Sequence, residues 1–239
     1  MKMSLSLTTA TALLSTALTA HAGAIYDYSI NNPGGKAKAG DVKNIATRFD
    51  SNTNALSWSY TIEHRSDAMR NDAFWLVLND GPNPKGIAGQ LAILYGDLQT
   101  NTLQAFEYNG TNGNKSYADP ANFLASWNGA MNIQDDPAGL TTVSFDIDAS
   151  NINNADLGED WEGISFAEKI GIWFHPSARS SITYDDETGQ MISYAKRRQS
   201  YHDSSDANTE VSEVPEPATL TLLGAGVAGL MASRRRTKG

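Results

Sequence analysis

The feature that most limits what this chain can fold into is an alternation of apolar and polar residues. Leu56, Trp58, Tyr60 and Ile62 are apolar, and Ser57, Ser59, Thr61 and Glu63 between them are polar. A repeat of two sends successive side chains to opposite faces of an extended strand, so one face is buried and one is wet. Val143, Phe145 and Ile147 alternate with Ser144, Asp146 and Asp148 in the same way. Residues 74–78, 91–95 and 170–174 are instead short continuous apolar runs. Such runs predict strands covered on both faces. Weaker strand patterns cover 25–30, 42–49, 103–108, 181–184 and 191–195. Turn-forming Gly, Pro, Asn and Asp fill 79–86 and 109–114, and 185–189 reads as a hairpin loop. Short helical turns are expected at 119–126 and 152–157. No long amphipathic helix and no repeat of about 20–50 residues is visible. About ten strands in about 190 residues predict an all-β fold, a two-sheet antiparallel sandwich of jelly-roll or concanavalin-like type.

The two ends do not belong to that pattern. Residues 1–22 carry Lys2, then an uncharged apolar stretch, then Ala20-His21-Ala22 as a small-x-small cleavage site. This reads as a signal peptide, removed by signal peptidase. At the other end Pro215-Glu216-Pro217 is followed by an uncharged, mostly apolar stretch from Ala218 to Ser233 and then by Arg234-Arg235-Arg236. As a helix, Ala218 to Ser233 would reach about 24 Å, short of the roughly 30 Å of bilayer hydrocarbon. Flanking arginines can snorkel, so a short, transient membrane helix is expected. The basic cluster belongs on the cytoplasmic side. That places the middle of the chain outside, in agreement with the signal peptide. Gly224, Gly226 and Gly229 match a dinucleotide-binding pattern, but the chain ends too soon afterwards to supply the second strand and the acid. The domain boundaries follow: signal peptide 1–22, β-sandwich 23–202, polar linker 203–213, and sorting tail 214–239.

The three-part tail resembles the PEP-CTERM sorting signal of Gram-negative bacteria, with Val214-Pro215-Glu216-Pro217, the apolar stretch and the arginines in order. The resemblance implies recognition by a membrane-bound exosortase, cleavage near Pro215–Pro217, and a host that makes exopolysaccharide. The segments 76–86 and 170–176 also look like the bodies of other PEP-CTERM proteins, a likeness that brings no active site with it.

Composition narrows the chemistry. The chain has no cysteine, which removes thiol nucleophiles, Cys-zinc sites and iron–sulfur clusters. Without the signal and the tail it keeps 13 of 18 basic and 26 of 27 acidic residues, a net charge of −13. That disfavours nucleic acid and anionic membranes and leaves cations as acceptable ligands. Asp80, Asp185, Asp186 and Glu187 stand in turns and are the candidate calcium ligands, because calcium takes hard oxygens from loops. Neither loop fits an EF-hand. Asp146 and Asp148 would lie about 6–7 Å apart on one wet face. That spacing suits either a solvated surface or a glycoside-hydrolase carboxylate pair. His64, His175 and His202 have no zinc spacing, and no G-x-S-x-G occurs. A Ser-His-Asp set assembled in space stays open. Of the five tryptophans, Trp58, Trp75 and Trp173 fall in core-like runs. Trp127 and Trp161 fall in polar surroundings and are the candidate sugar platform.

Three readings result. The first is an exported, non-catalytic surface or matrix protein associated with exopolysaccharide. The second is a carbohydrate-binding module, with or without calcium. The third is an exported hydrolase acting through Asp146 or Asp148.

Overall fold

A computed structural model describes residues 23–66, 69–111 and 115–213. The expected signal helix and membrane helix lie outside these residues. Among the described residues no helix is long and apolar enough to cross a membrane. Ala24–Glu213 forms one compact unit.

Two antiparallel sheets make up that unit. The first contains β1 (Ala24–Asn31), β3 (Gly40–Asp50), β4 (Ala55–His64), β9 (Met131–Asp136), β10 (Leu140–Asp148) and β15 (Glu210–Glu213). Its strand order is β15-β1-β3-β4-β10-β9. The second contains β2 (Lys36–Ala37), β5 (Asn71–Asn79), β6 (Ala92–Asp97), β7 (Thr102–Glu107), β8 (Phe123–Asn128), β11 (Lys169–Ala178) and β14 (Arg198–Asn208). Its order is β2-β14-β11-β5-β6-β7-β8. A hairpin of β12 (Ser181–Tyr184) and β13 (Met191–Ala195) forms a third, two-stranded sheet. The only α-helical turn among the described residues is α1 (Ser150–Asn153).

The alternation at 56–63 does what its period dictates. Leu56, Trp58, Tyr60 and Ile62 are buried, and Trp58 and Tyr60 pair with Phe145 and Val143 of β10. These side chains meet Phe74, Leu76, Ile172 and Phe174 of the second sheet in one core. Phe174 lies at its centre, with ring centroids 5.2 Å from Trp58, 4.7 Å from Tyr60 and 6.1 Å from Phe74. Face-to-face packing of two sheets buries each inner face this way.

The continuous apolar runs also have their reason. Phe74, Leu76 and Leu78 serve the main core, while Trp75 and Val77 serve a second core on the outer side of the seven-stranded sheet. Trp173, out of phase with Ile172 and Phe174, belongs to that second core too. The β12–β13 hairpin and the 3-10 turn Ser116–Ala118 supply its cover through Tyr194, Met191 and Tyr117. Gly96 is fixed by packing: a Cβ there would come 2.1 Å from the Phe74 ring, which pairs across from it.

Two expectations need correction. Residues 203–213, read as a linker, are the second half of β14 and the whole of β15. Their polar side chains signalled disorder, but both strands draw their hydrogen bonds from neighbouring backbone, which composition does not report. Residues 119–126, read as a helical turn, hold a 3-10 turn only at Pro120–Asn122 before β8 begins at Phe123. The chain crosses between sheets at 37–40. There the buried Ser200 hydroxyl accepts from the Ala39 and Gly40 amides at 3.0 and 3.1 Å and donates to the Gly40 carbonyl at 2.6 Å.

Candidate functional site

The wet face of the six-stranded sheet carries a groove of about 380 Å³. Register builds it. Glu210, Asp27, Arg48, Ser57 and Asp146 stand opposite one another in turn across β15, β1, β3, β4 and β10. The next row holds Ser29, Ala46, Ser59, Ser144 and Asn132. The Arg48 guanidinium lies 3.6 Å from Asp27, and Ser57 donates a short hydrogen bond to Asp146. Trp58 and Phe145 reach the floor of the groove but are almost wholly buried in the core. The exposed Arg48–Asp27 pair contributes about 1 kcal/mol or less to stability. Its value is chemical. The groove offers hydroxyls, carboxylates and one guanidinium, a lining suited to hydrogen-bonding a hydroxyl-rich ligand.

The residues singled out from sequence fall in separate places. Asp146 is in the groove. Asp148 accepts from the Ser150 side chain and, at 2.8 Å, from the Ser150 amide, which together hold its carboxyl below the usual range. A glycosidic general acid needs the opposite shift, so Asp148 is not suited to that role. Asp185 accepts from the Thr188 amide and hydroxyl, each at 2.8 Å, and from the Glu187 amide at 3.1 Å, which lowers its pKa and fixes its own turn. Asp186 and Glu187 are exposed beside it. Asp80 is in another loop, where it and Asp160 add to the effect of burial in raising Glu162. Among the described residues, no group of three His, Asp or Glu is arranged to hold a metal ion. Trp127 sits on β8 opposite Leu103 and packs partly buried against the main core. Trp161 does likewise and donates its indole N–H to the Ile152 carbonyl at 2.9 Å. His64 contacts Thr141 at 2.6 Å, and Thr141 donates to Asp135. Asp135, Thr141 and His64 together tie β4 to β9 and β10.

Sequence reasoning missed Asp27, Arg48 and Glu210. The weak alternation at 25–30 and 42–49 would have turned Asp27 and Arg48 outward, but nothing local reports that β15 returns beside β1.

β15 ends at Glu213, paired with Ala24 at the start of β1. Residues 213–236 match the family model of the PEP-CTERM protein-sorting motif. The chain carries a PEP-CTERM sorting signal. A PEP-CTERM signal marks an exported protein processed by an exosortase and delivered to the cell surface or beyond. The motif residues Pro215, Glu216, Pro217, Arg234, Arg235 and Arg236 lie outside the described residues, as do Ala20 and Ala22 of the expected leader cleavage site. No curated protein and no solved structure matches the chain.

Proposed function

We propose that this PEP-CTERM protein is a non-catalytic surface or matrix component associated with exopolysaccharide. The observation that carries the reading is a sorting motif that starts at the last residue of a folded β-domain. Signal peptidase removes residues 1–22, the tail holds the chain transiently in the membrane, and an exosortase cuts near Pro215–Pro217. The domain is a sandwich of jelly-roll or concanavalin-like type. Its wet-face groove, with Arg48, Ser57, Asp146 and Glu210, is the surface offered to glycan hydroxyls.

Two measurements on the mature protein from its host test this. Intact mass is expected to show loss of residues 1–22 and of the tail beyond about Pro217. A retained tail overturns the processing. Co-sedimentation with the host's exopolysaccharide, with calcium and with chelator, is expected to show saturable binding that Arg48→Ala weakens. The absence of binding in both conditions removes the exopolysaccharide association and leaves processing intact.

A further inference from the structure

On the outer side of the seven-stranded sheet, away from the groove, the Tyr201, His175 and Trp75 rings stand in a row across β14, β11 and β5. His175 stacks on Trp75 at 3.8 Å and 15° and on Tyr201 at 5.5 Å and 23°. Trp173 meets His175 edge-on at 5.3 Å. Because the rings face one another, their edges point away from the row. Trp75 Nε1 is buried here without a hydrogen-bond partner, and the His175 ring and the Gln199 amide, also buried, act only on each other as hydrogen-bonding groups. Trp75 is 1% exposed. Burial pushes the His175 pKa down to about 3 against the opposing effect of a hydrogen bond with Gln199, and Lys196 and Lys85 add to the lowering. A neutral imidazole carries one N–H and an amide two, and one hydrogen bond between them uses one of the three, so the indole N–H and two others stay without an acceptor. Native proteins rarely leave such groups unpaired, and a bound ion or water is the usual resolution.

The charges around the row point the same way. Lys36 lies 5.8 Å from the Tyr201 ring centre, and Lys196 lies 5.6 Å from that of Trp75. Lys85 acts electrostatically on both His175 and Asp203. None of the three lysines forms an ion pair among the described residues. Arg197 and Arg198 are exposed beside Lys196. In a domain of net charge −13 this is a local reversal of sign. One carboxylate intrudes: Asp203 Oδ1 stands 3.8 Å from His175 Nε2.

We propose that the Trp75–His175–Gln199 cluster, with Lys36, Lys85 and Lys196, is an oxyanion-binding site. A carboxylate, sulfate or phosphate group has enough lone pairs to accept from every unpaired donor, and the lysines make those hydrogen bonds charge-assisted. The oxyanion comes either from an acidic sugar of a polysaccharide or from a free ion. The first source rests on the exopolysaccharide reading above; the site itself does not.

Isothermal titration of the mature protein at low ionic strength tests this, with sodium sulfate, polygalacturonate and uncharged dextran as probes. Sulfate or polygalacturonate is expected to bind saturably, and dextran is not expected to compete. Lys196→Met, which keeps the aliphatic stem, and Trp75→Phe, which keeps a ring but removes the N–H, are each expected to weaken binding at least tenfold. Asp203→Asn is expected to tighten it, and Lys43→Gln, on the other sheet, to leave it unchanged. Binding of polygalacturonate identifies an acidic glycan as the source; binding of sulfate alone identifies a small ion. No binding of either probe, or binding that Lys196→Met leaves unchanged, overturns the site. Neither result touches the intact-mass test of processing.

Discussion

At the scale of single residues, the buried histidines have the clearest consequence. Burial depresses the pKa of His175 to about 3 and lowers that of His202 as well. In the unfolded chain both would titrate near the ordinary value of about 6.5. The folded state thus binds these protons later than the unfolded state does as pH falls. Their stabilising effect is complete above about pH 6.5 and is lost as pH drops toward the folded values. For His175 the slope approaches about 1.4 kcal/mol per pH unit within that window. Denaturant melts of His175→Phe, which keeps the ring stack, are expected to show a shallower loss of stability between about pH 6 and 4 than the parent. Parallel pH curves would refute this.

At the scale of elements, the β12–β13 hairpin is held over the seven-stranded sheet by few polar ties. Gln104 of β7 is 1% exposed; it donates to the Gly189 carbonyl at 2.7 Å and accepts from the Met191 amide at 2.8 Å. The Tyr194 hydroxyl donates to Ser177 at 2.8 Å, and the Tyr184 hydroxyl to Asp97 at 2.9 Å. Gln104→Ala leaves the buried Met191 amide unpaired, at a cost of about 1–3 kcal/mol. Faster amide exchange confined to 181–195 is the expected signature; uniform exchange across the domain would mean the hairpin is not a separate unit. β15 is the other marginal element. Its four residues are all exposed, and among the described residues it pairs only with β1. Tyr26 and Val211 are directly opposed. Opposed residues of an antiparallel pair fall within disulfide reach, and the chain has no other cysteine to interfere. A Tyr26→Cys/Val211→Cys pair locks β15 next to the sorting motif. Oxidised protein is expected to be processed more slowly in the host, with reductant restoring the rate. Equal rates would show that the exosortase does not need β15 released.

At the scale of the whole molecule, both ends of the folded unit sit side by side, because Ala24 pairs with Glu213. The PEP-CTERM motif begins, in sequence, at one of these two paired ends. The two faces of the sandwich differ in sign and in cover. The six-stranded sheet shows solvent a polar face with Asp27, Asp146 and Glu210 around Arg48. The seven-stranded sheet is covered by a second aromatic core with Lys36 and Lys196 against the rings at its rim. A neutral, hydroxyl-rich ligand suits the first face, and an anionic one suits the second.

The sequence by itself determined the all-β class, the buried faces of β4 and β10, the double burial of β5 and β11, and the sorting motif. All of these are written in local periodicity or in contiguous residues, and local periodicity survives any topology. Only the tertiary structure decided that 203–213 are strands, since polar side chains do not reveal which backbone will pair with theirs. It alone aligned Glu210, Asp27, Arg48, Ser57 and Asp146 across five strands, and Tyr201, His175 and Trp75 across three. Trp127 and Trp161 looked exposed because their sequence neighbours are polar, yet neighbours in space pack them against the core. Register joins residues more than a hundred positions apart, and a chain read in one dimension holds no signal for that distance.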